Sequence, residues 1–371
     1  MQKIKYYIKV FLIKLKLYER LINYRDYHLK IPNNEMIDSA EPIIIKWSPS
    51  LKKPKIALVR ETNNRLSYFI KFKRMLEINE FEFDEINILQ SNFHDILKNY
   101  DVVIWRVNSD FYSLYTGKDI IYFLNNILRI HTLPNFESLW FYENKIAQYW
   151  LLKKHDFPVI STFASFDMQE TINYINKSNY PIVSKLNTAS ASLGVSLIKS
   201  KKQALKIVKK VFSTGLKTKY TNLYQKDYVL FQEKVPNMGF DLRVVIVGNS
   251  YFGYYRYPKK KDFRASGSGI TVKEDIPIDI LHLSMKIKDT FPKSYMLAID
   301  YLQDTRDNKY YIIETSIFIK IETCEQLMVN GVPGRYIYQD NDFKFQEGRY
   351  WLQDLMLEAF FNDYIKKMEG E

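Results

Sequence analysis

At 371 residues and 44.4 kDa, with 46% apolar residues, the chain can bury large cores and is expected to hold two or three domains. Its net charge of +12 and pI near 9.2 suit an anionic partner, but the chain is rich in Lys, Ile, Asn and Tyr throughout, so charge alone does not name that partner. Cys324 is the single cysteine, which excludes an intrachain disulfide and a cysteine zinc cluster and makes a reducing cytoplasm the expected setting.

Residues 1–30 interleave Lys3, Lys5, Lys9, Lys14 and Lys16 with Ile4, Ile8, Phe11, Leu12, Leu15 and Leu17. Lysine interrupts this apolar run too often for a bilayer span, and no small-residue cleavage site follows. A basic amphipathic helix is expected, with two fates open to it. Its apolar stripe either packs on the rest of the protein or makes peripheral contact with an anionic membrane. A connector with Pro32, Pro42, Pro49 and Pro54 follows.

KIALVR over 55–60 reads as a buried strand, 65–76 as a helix, 83–89 as a second strand and DVVIWRV over 101–107 as a third. Strands alternating with helical patterns predict a small parallel sheet, and without G-x-G-x-x-G after the first strand it is not a dinucleotide site. A helix is expected over 118–130. From Ser138 a second unit begins, with a helix from about Lys145 to Lys154, strands over 162–166, 181–185 and 196–198, and helices over 168–176 and 202–212. Between Lys185 and Val195 lies a loop of small residues. A strand over 228–233 leads into a hairpin, 242–247 and 251–257, turned by Gly248-Asn249-Ser250. A two-residue turn there places Asp241, Arg243, Tyr254 and Arg256 on one face. A helix over 279–290 with Asp279 as cap, a hairpin of 295–301 with 310–314, and a C-terminal helix over 350–367 complete the reading. The expected divisions are 1–50 (helix and linker), 51–137 (N-terminal α/β domain), 138–234 and 235–371.

No G-x-x-x-x-G-K-[ST], H-E-x-x-H or G-x-S-x-G is present, the five histidines have no metal spacing, and ring-stacking RNA motifs are missing, so no nucleic-acid partner is expected. What remains is an ordered set of cations and carboxylates. Lys185 ends a strand beside a loop whose backbone N–H groups can cover phosphates. Gln232, Glu233 and Val235 close an apolar strand whose backbone can meet an adenine edge. In a hairpin centred on Asp307, Asp300 and Glu314 stand opposite each other and repel unless a cation such as Mg²⁺ lies between them.

This order resembles the ATP-grasp superfamily of carboxylate–amine ligases, closest to the branch of ribosomal-protein glutamate ligases, over roughly residues 138–316. The motifs that carry it are Lys145; the P-x-V-x-K strand ending at Lys185; a loop ending in Gly194-Val195; the hinge Gln232-Glu233-x-Val235; Asp241-x-Arg243 with Gly248; Arg256 and Phe263-Arg264; and Asp300 with Glu314. The resemblance implies an α/β (α+β) ATP-grasp fold, a 138–234 lid subdomain, and ATP and Mg²⁺ as cofactors. It implies nucleotide contacts from Lys145, Lys185, Ser192, Gly194, Gln232, Glu233, Val235 and Asp241, and metal contacts from Asp300, Glu314 and Ser316. Ser316 stands where the family usually has asparagine, a longer and better ligand. Arg243, Arg256 and Arg264 are implied for the reacting carboxylate or the transferring phosphoryl group. FRASGSG and EGRYWLQDL are similar to ATP-grasp proteins of bacterial surface-polysaccharide genes. The implied activity joins a glycan-precursor or other small carboxylate to an amine through an acyl phosphate. A small-molecule kinase and a non-catalytic binding domain on the same scaffold stay open as alternatives.

Overall fold

The computed structural model describes residues 40–60, 68–188, 194–218, 223–260, 264–265, 270–321 and 323–370. The basic stretch 1–30, Ser192, Phe263 and 266–269, on which several expectations fall, lie outside the described residues. Two compact units result. One takes the chain up to Arg106 with Ile321–Cys324 and the chain from Arg349; the other takes Val107–Lys320 and Glu325–Gly348.

In the first unit, β1 (Ile56–Val59) is buried at every position and pairs in parallel with β2 (Phe83–Ile86) and β3 (Val102–Ile104). An inner parallel strand is covered on both faces, which is why IALV shows no polar alternation. The helix Tyr68–Ile78 buries Tyr68, Phe72, Met75 and Leu76 on one stripe. The C-terminal helix Leu352–Gly370 stacks Phe361 on Phe81 with ring centroids 4.4 Å apart. Arg74 also donates to the fully buried Asp354 at 2.9 Å.

In the second unit a helix, Phe111–Tyr122, begins well before the expected position 118. Asp110 caps it by accepting from the Ser113 N–H at 3.0 Å, and exposed Tyr112 and Tyr115 blur the apolar pattern that would have shown its start. After β4 (His131–Leu133) comes a four-stranded sheet in the order β5-β10-β6-β7: β5 (Thr162–Ser165), β6 (Ile182–Lys185), β7 (Val195–Ile198) and β10 (Val229–Glu233). The short pair β8 (Leu216–Lys217) and β9 (Tyr224–Gln225) stands beside it. Helices Met168–Lys177 and Lys201–Val211 cover one face, burying Ile175, Ala204, Val208 and Val211 against Ile182, Val229 and Phe231. Because strand side chains alternate, Val183, Lys185 and Gln232 are left for the opposite face.

The larger sheet runs β15-β14-β11-β12-β17-β16, with β13 on β12 and β18 on β17. Its strands are β11 (Asp241–Val247), β12 (Ser250–Tyr257), β13 (Ile270–Val272), β14 (Leu297–Gln303), β15 (Tyr310–Ser316), β16 (Met328–Val329), β17 (Val332–Gln339) and β18 (Asp342–Glu347). Val247 pairs with Ser250 around Gly248, whose φ of 58° suits a residue without a side chain. The helix Ile278–Thr290 packs behind this sheet. Pro277, not Asp279, occupies its cap position, and Asp279 falls in the first turn, where a carboxylate favours the helix dipole. β17 and β18 were not anticipated, although Asp340-Asn341, both at positive φ, carry the turn signal between them.

Candidate active site

The site is assembled around Asn187, a residue the motif reading passed over. Its carbonyl accepts from the Lys145 N–H at 3.2 Å and its side-chain oxygen from the Ile146 N–H at 2.9 Å. The helix Lys145–Lys154 therefore starts against the residues that follow Lys185, and Asn144 caps it through the Ala147 N–H at 3.2 Å. Two lysines separated by forty positions thus arrive in one place. Gln148, on the same helix, accepts from the Thr315 N–H at 3.1 Å and so ties it to β15 beside Glu314.

On the larger sheet Asp241 pairs with Arg256 and Arg243 with Asp300, while Asp300 pairs with Glu314. A β-bulge follows at once: Tyr301 pairs with Ile312, so Ile313 is the extra residue on β15. Both Ile313 and Glu314 consequently line the same cleft.

The charged groups form two sets. Arg243 grips Asp300 with Nε to Oδ1 at 2.6 Å and Nη2 to Oδ2 at 2.7 Å. Arg256 donates Nη2 to the same Oδ2 at 2.7 Å and Nε to Asp241 Oδ1 at 2.5 Å. Burial alone would raise the Asp300 pKa, but the two guanidinium groups overcome it and hold the carboxyl well below its usual range. Burial prevails at Asp241, whose pKa is raised. In the second set, Lys145 Nζ bonds Glu314 Oε1 at 2.8 Å and lies 4.0 Å from Glu143. Lys185 is buried, and desolvation lowers its pKa to about 8 against the attraction of Glu314.

These groups border a cleft that opens on solvent. Lys145, Lys185, Gln232, Glu233, Val235, Asp241, Arg256, Arg264, Asp300 and Glu314 all line it. Arg243 does not; it is joined to the lining through its hydrogen bonds to Asp300. Gly194 also stays out of the lining. Gly194 passes so close to Leu186 that a Cβ there would meet the Leu186 side chain at 2.7 Å, and its carbonyl accepts from the Leu186 N–H at 3.0 Å. Glycine at that point closes the small-residue loop rather than touching the cleft. Ser316 is likewise absent from the lining, and its hydroxyl donates to the Phe318 carbonyl at 2.8 Å.

Two further residues escaped the sequence reading. Arg306 bonds Glu233 at 2.7 Å and also Asp304, bracing the hinge from outside the cleft. Phe240 supplies an aromatic wall. Neither belongs to a recognisable motif, and Arg306 sits in what reads only as a turn.

The residues fit a nucleotide. Ile160, Val183, Leu302 and Ile313 give apolar walls for a base, the 232–235 backbone an edge, and lysine and arginine the anion-binding end. They also fit Mg²⁺, which takes one or two carboxylates and completes its shell with phosphate and water. Asp300 accepts three bonds of the about four that a carboxylate can take, leaving a site on Oδ1. Among the described residues no cluster of three or more His, Cys, Asp or Glu forms a metal site by itself.

Comparison with known proteins supports the same reading. The sequence profile of the RimK-like ATP-grasp domain matches residues 142–332. The chain is 26% identical over 249 residues to the alpha-aminoadipate–LysW ligase LysX of Saccharolobus solfataricus, covering 66% of this chain and 80% of that protein. Its fold is similar to D-alanine–D-alanine ligase from Bacillus anthracis (TM-score 0.54, 12% identity, 85% of this chain and 100% of that one). A RimK-domain ATP-grasp protein from Sphaerobacter thermophilus is similar too (TM-score 0.51, 14% identity, 72% and 92%). Since the profile spans more than half of the sequence, the chain belongs to the RimK-like ATP-grasp family and is an ADP-forming carboxylate–amine ligase that works with ATP and Mg²⁺.

Proposed function

We propose that this ligase activates a sugar acid or amino acid of a surface glycan and joins it to an amine. The observation that carries the chemistry is the meeting of Lys145, Lys185, Arg256 and Arg264 with the opposed Asp300 and Glu314 in one cleft that also has apolar walls. The glycan assignment rests on the FRASGSG and EGRYWLQDL segments. A second reading, a free acidic amino acid, is favoured by the relative from Saccharolobus solfataricus, whose name gives alpha-aminoadipate and LysW as what it joins.

In this reading the hinge backbone at Gln232, Glu233 and Val235 holds the base of ATP, with Asp241 among the surrounding contacts and Gly194 serving only to close the neighbouring loop. Lys145 and Lys185 neutralise the phosphates. Lys145 leaves Glu314 for a phosphate oxygen, and Glu314 with Asp300 would hold Mg²⁺, which supplies charge neutralisation at the transferring group. Ser316 is a weaker candidate for that shell, its proton being committed to Phe318. A carboxylate oxygen of the substrate forms the bond to the γ-phosphorus as the bond to the β-phosphate bridging oxygen breaks, giving acyl phosphate and ADP. Arg256 and Arg264 steady the oxygens that carry charge during transfer, and Arg243 fixes Asp300. The amine nitrogen then bonds the acyl carbon, the acyl C–O bond breaks with its electron pair leaving on inorganic phosphate, and the amine's proton passes to solvent. Residues 138–234 close as a lid over 235–371 and exclude water from the acyl phosphate.

The test is ADP release by purified enzyme with ATP and Mg²⁺ across sugar acids, acidic amino acids and amines, with hydroxylamine present. A hydroxamate from a sugar acid supports the glycan reading, and turnover with free amino acids alone removes it. A released phosphorylated product without hydroxamate points to the kinase alternative.

A further inference from the structure

Between Glu170 and Asp227 the sequence holds eleven lysines and no acidic residue. That stretch accounts for nearly all of the net charge of +12, and the rest of the chain is close to neutral. A general lysine excess would leave acids scattered among the lysines, as they are over most of the chain beyond its basic N-terminal stretch. Here the imbalance is local.

The structure collects much of this charge on one surface. The helix Lys201–Val211 buries Ala204, Val208 and Val211 in the core of its sheet. Lys202, Lys206, Lys209 and Lys210, at i, i+4, i+7 and i+8, are all exposed and stand opposite that stripe. Lys199 and Lys217 are exposed at its two ends. The helix itself gains little from this arrangement: Lys209 and Lys210 in its last turn suit the dipole, but like charges at i, i+4 repel and its first turn has lysine where the dipole favours an acid. The face points away from the cleft, because Lys185 and Val183 take the other side of the sheet.

We propose that this lysine face docks on an anionic lipid membrane. Its chemistry favours a membrane over other polyanions. Among the described residues the exposed helix face has no arginine fork for nucleic-acid phosphates and no aromatic ring of its own; exposed Tyr224, opposite Lys217 at its end, is a single ring of the kind that also suits a membrane interface. Lysine point charges on a helix that cannot insert, because its apolar side is already packed, suit adsorption onto a diffuse negative surface. Attraction of this kind acts within about a Debye length, ~8 Å at physiological salt.

The experiment is co-sedimentation of the full chain with vesicles of phosphatidylglycerol and phosphatidylcholine, or of phosphatidylcholine alone. It compares wild type with the combined variant Lys202→Gln, Lys206→Gln, Lys209→Gln and Lys210→Gln, which removes like-charge repulsion and no packed group. A second variant, with Lys3, Lys5, Lys9, Lys14 and Lys16 changed to Gln, is run with and without the helix changes to separate any contribution of the N-terminal stretch. Expected are binding to the anionic vesicles alone and a loss of about tenfold or more in partition from the helix changes in both backgrounds, with ATP turnover in solution unaltered. Wild-type partition in the combined variant overturns the proposal, as does wild type that ignores anionic vesicles at about 0.15 M salt. Tighter capture by RNA or polyglutamate than by the vesicles overturns it in favour of a soluble polyanion.

Discussion

Burial pushes the Lys185 ammonium down to about 8 while Glu314 pulls it back up. The unfolded chain keeps this proton up to about 10.5, so between the two values the unfolded state binds more protons than the folded one. Without nucleotide, this group therefore makes stability rise from pH 8 towards 10.5 and level off beyond, an effect absent in Lys185→Met and readable by thermal melts. ATP affinity is expected to move the other way. Phosphate needs the charged form, so KM for ATP climbs above pH 8, and Lys185→Ala loses on the order of ten- to a hundredfold in affinity, the worth of a charged hydrogen bond. Glu314 is the cleaner residue for the metal question, because it is partly exposed with a single close cation, whereas Asp300 anchors three bonds. Glu314→Gln should cut ADP release on the order of a hundredfold, losing several kcal/mol of charge neutralisation, with little change in melting temperature. Full activity across a Mg²⁺ series would remove it from catalysis.

At the scale of strands, Arg243, Arg256, Asp241 and Asp300 form one buried unit. Asp300→Asn strips two guanidinium groups of a buried counter-charge, and its expected cost is about 3–5 kcal/mol of stability. Chemical denaturation measures it, and a loss below 1 kcal/mol would mean that the cluster relaxes freely. Much of this unit was legible, because Gly248-Asn249 fixes the β11–β12 register and with it Asp241 opposite Arg256. The β14–β15 register was reached by an incomplete argument. Nearer the turn the strands pair as Gln303 with Tyr310, one residue off a hairpin centred on Asp307, and only the bulge at Ile313 brings Asp300 opposite Glu314. Nothing in the run Tyr-Ile-Ile-Glu announces a bulge. Asn187 and Arg306 were not legible either, since their roles come from partners far away in sequence. Gly194 was legible as a loop end but not for its reason, the close pass over Leu186. Gly194→Ala should lower stability by about 1–3 kcal/mol and loosen nucleotide binding, as melting curves with and without ATP would show.

For the molecule as a whole, alternation of strand and helix over 55–107 was enough to place a parallel sheet in the first unit, and the family match covers most of the second. The pair of β17 and β18 extends the second unit's sheet and escaped notice because Pro333 and Gly334 interrupt its first strand. The pairing of Lys145 with Glu314 has a consequence for how the ligase handles its nucleotide. Lys145 and Arg256 already hold carboxylate partners in the cleft, so ATP with Mg²⁺ exchanges partners at these positions. Each swap conserves the number of ion pairs, which lowers the grip on nucleotide and eases the departure of ADP. Few counterions are then taken up or released on binding. The ATP dissociation constant should vary with ionic strength less than the number of cations in the cleft suggests, and Glu314→Gln, which takes from Lys145 its carboxylate partner at 2.8 Å and leaves Glu143 at 4.0 Å, should bind ATP more tightly in the absence of Mg²⁺ and with a steeper salt dependence.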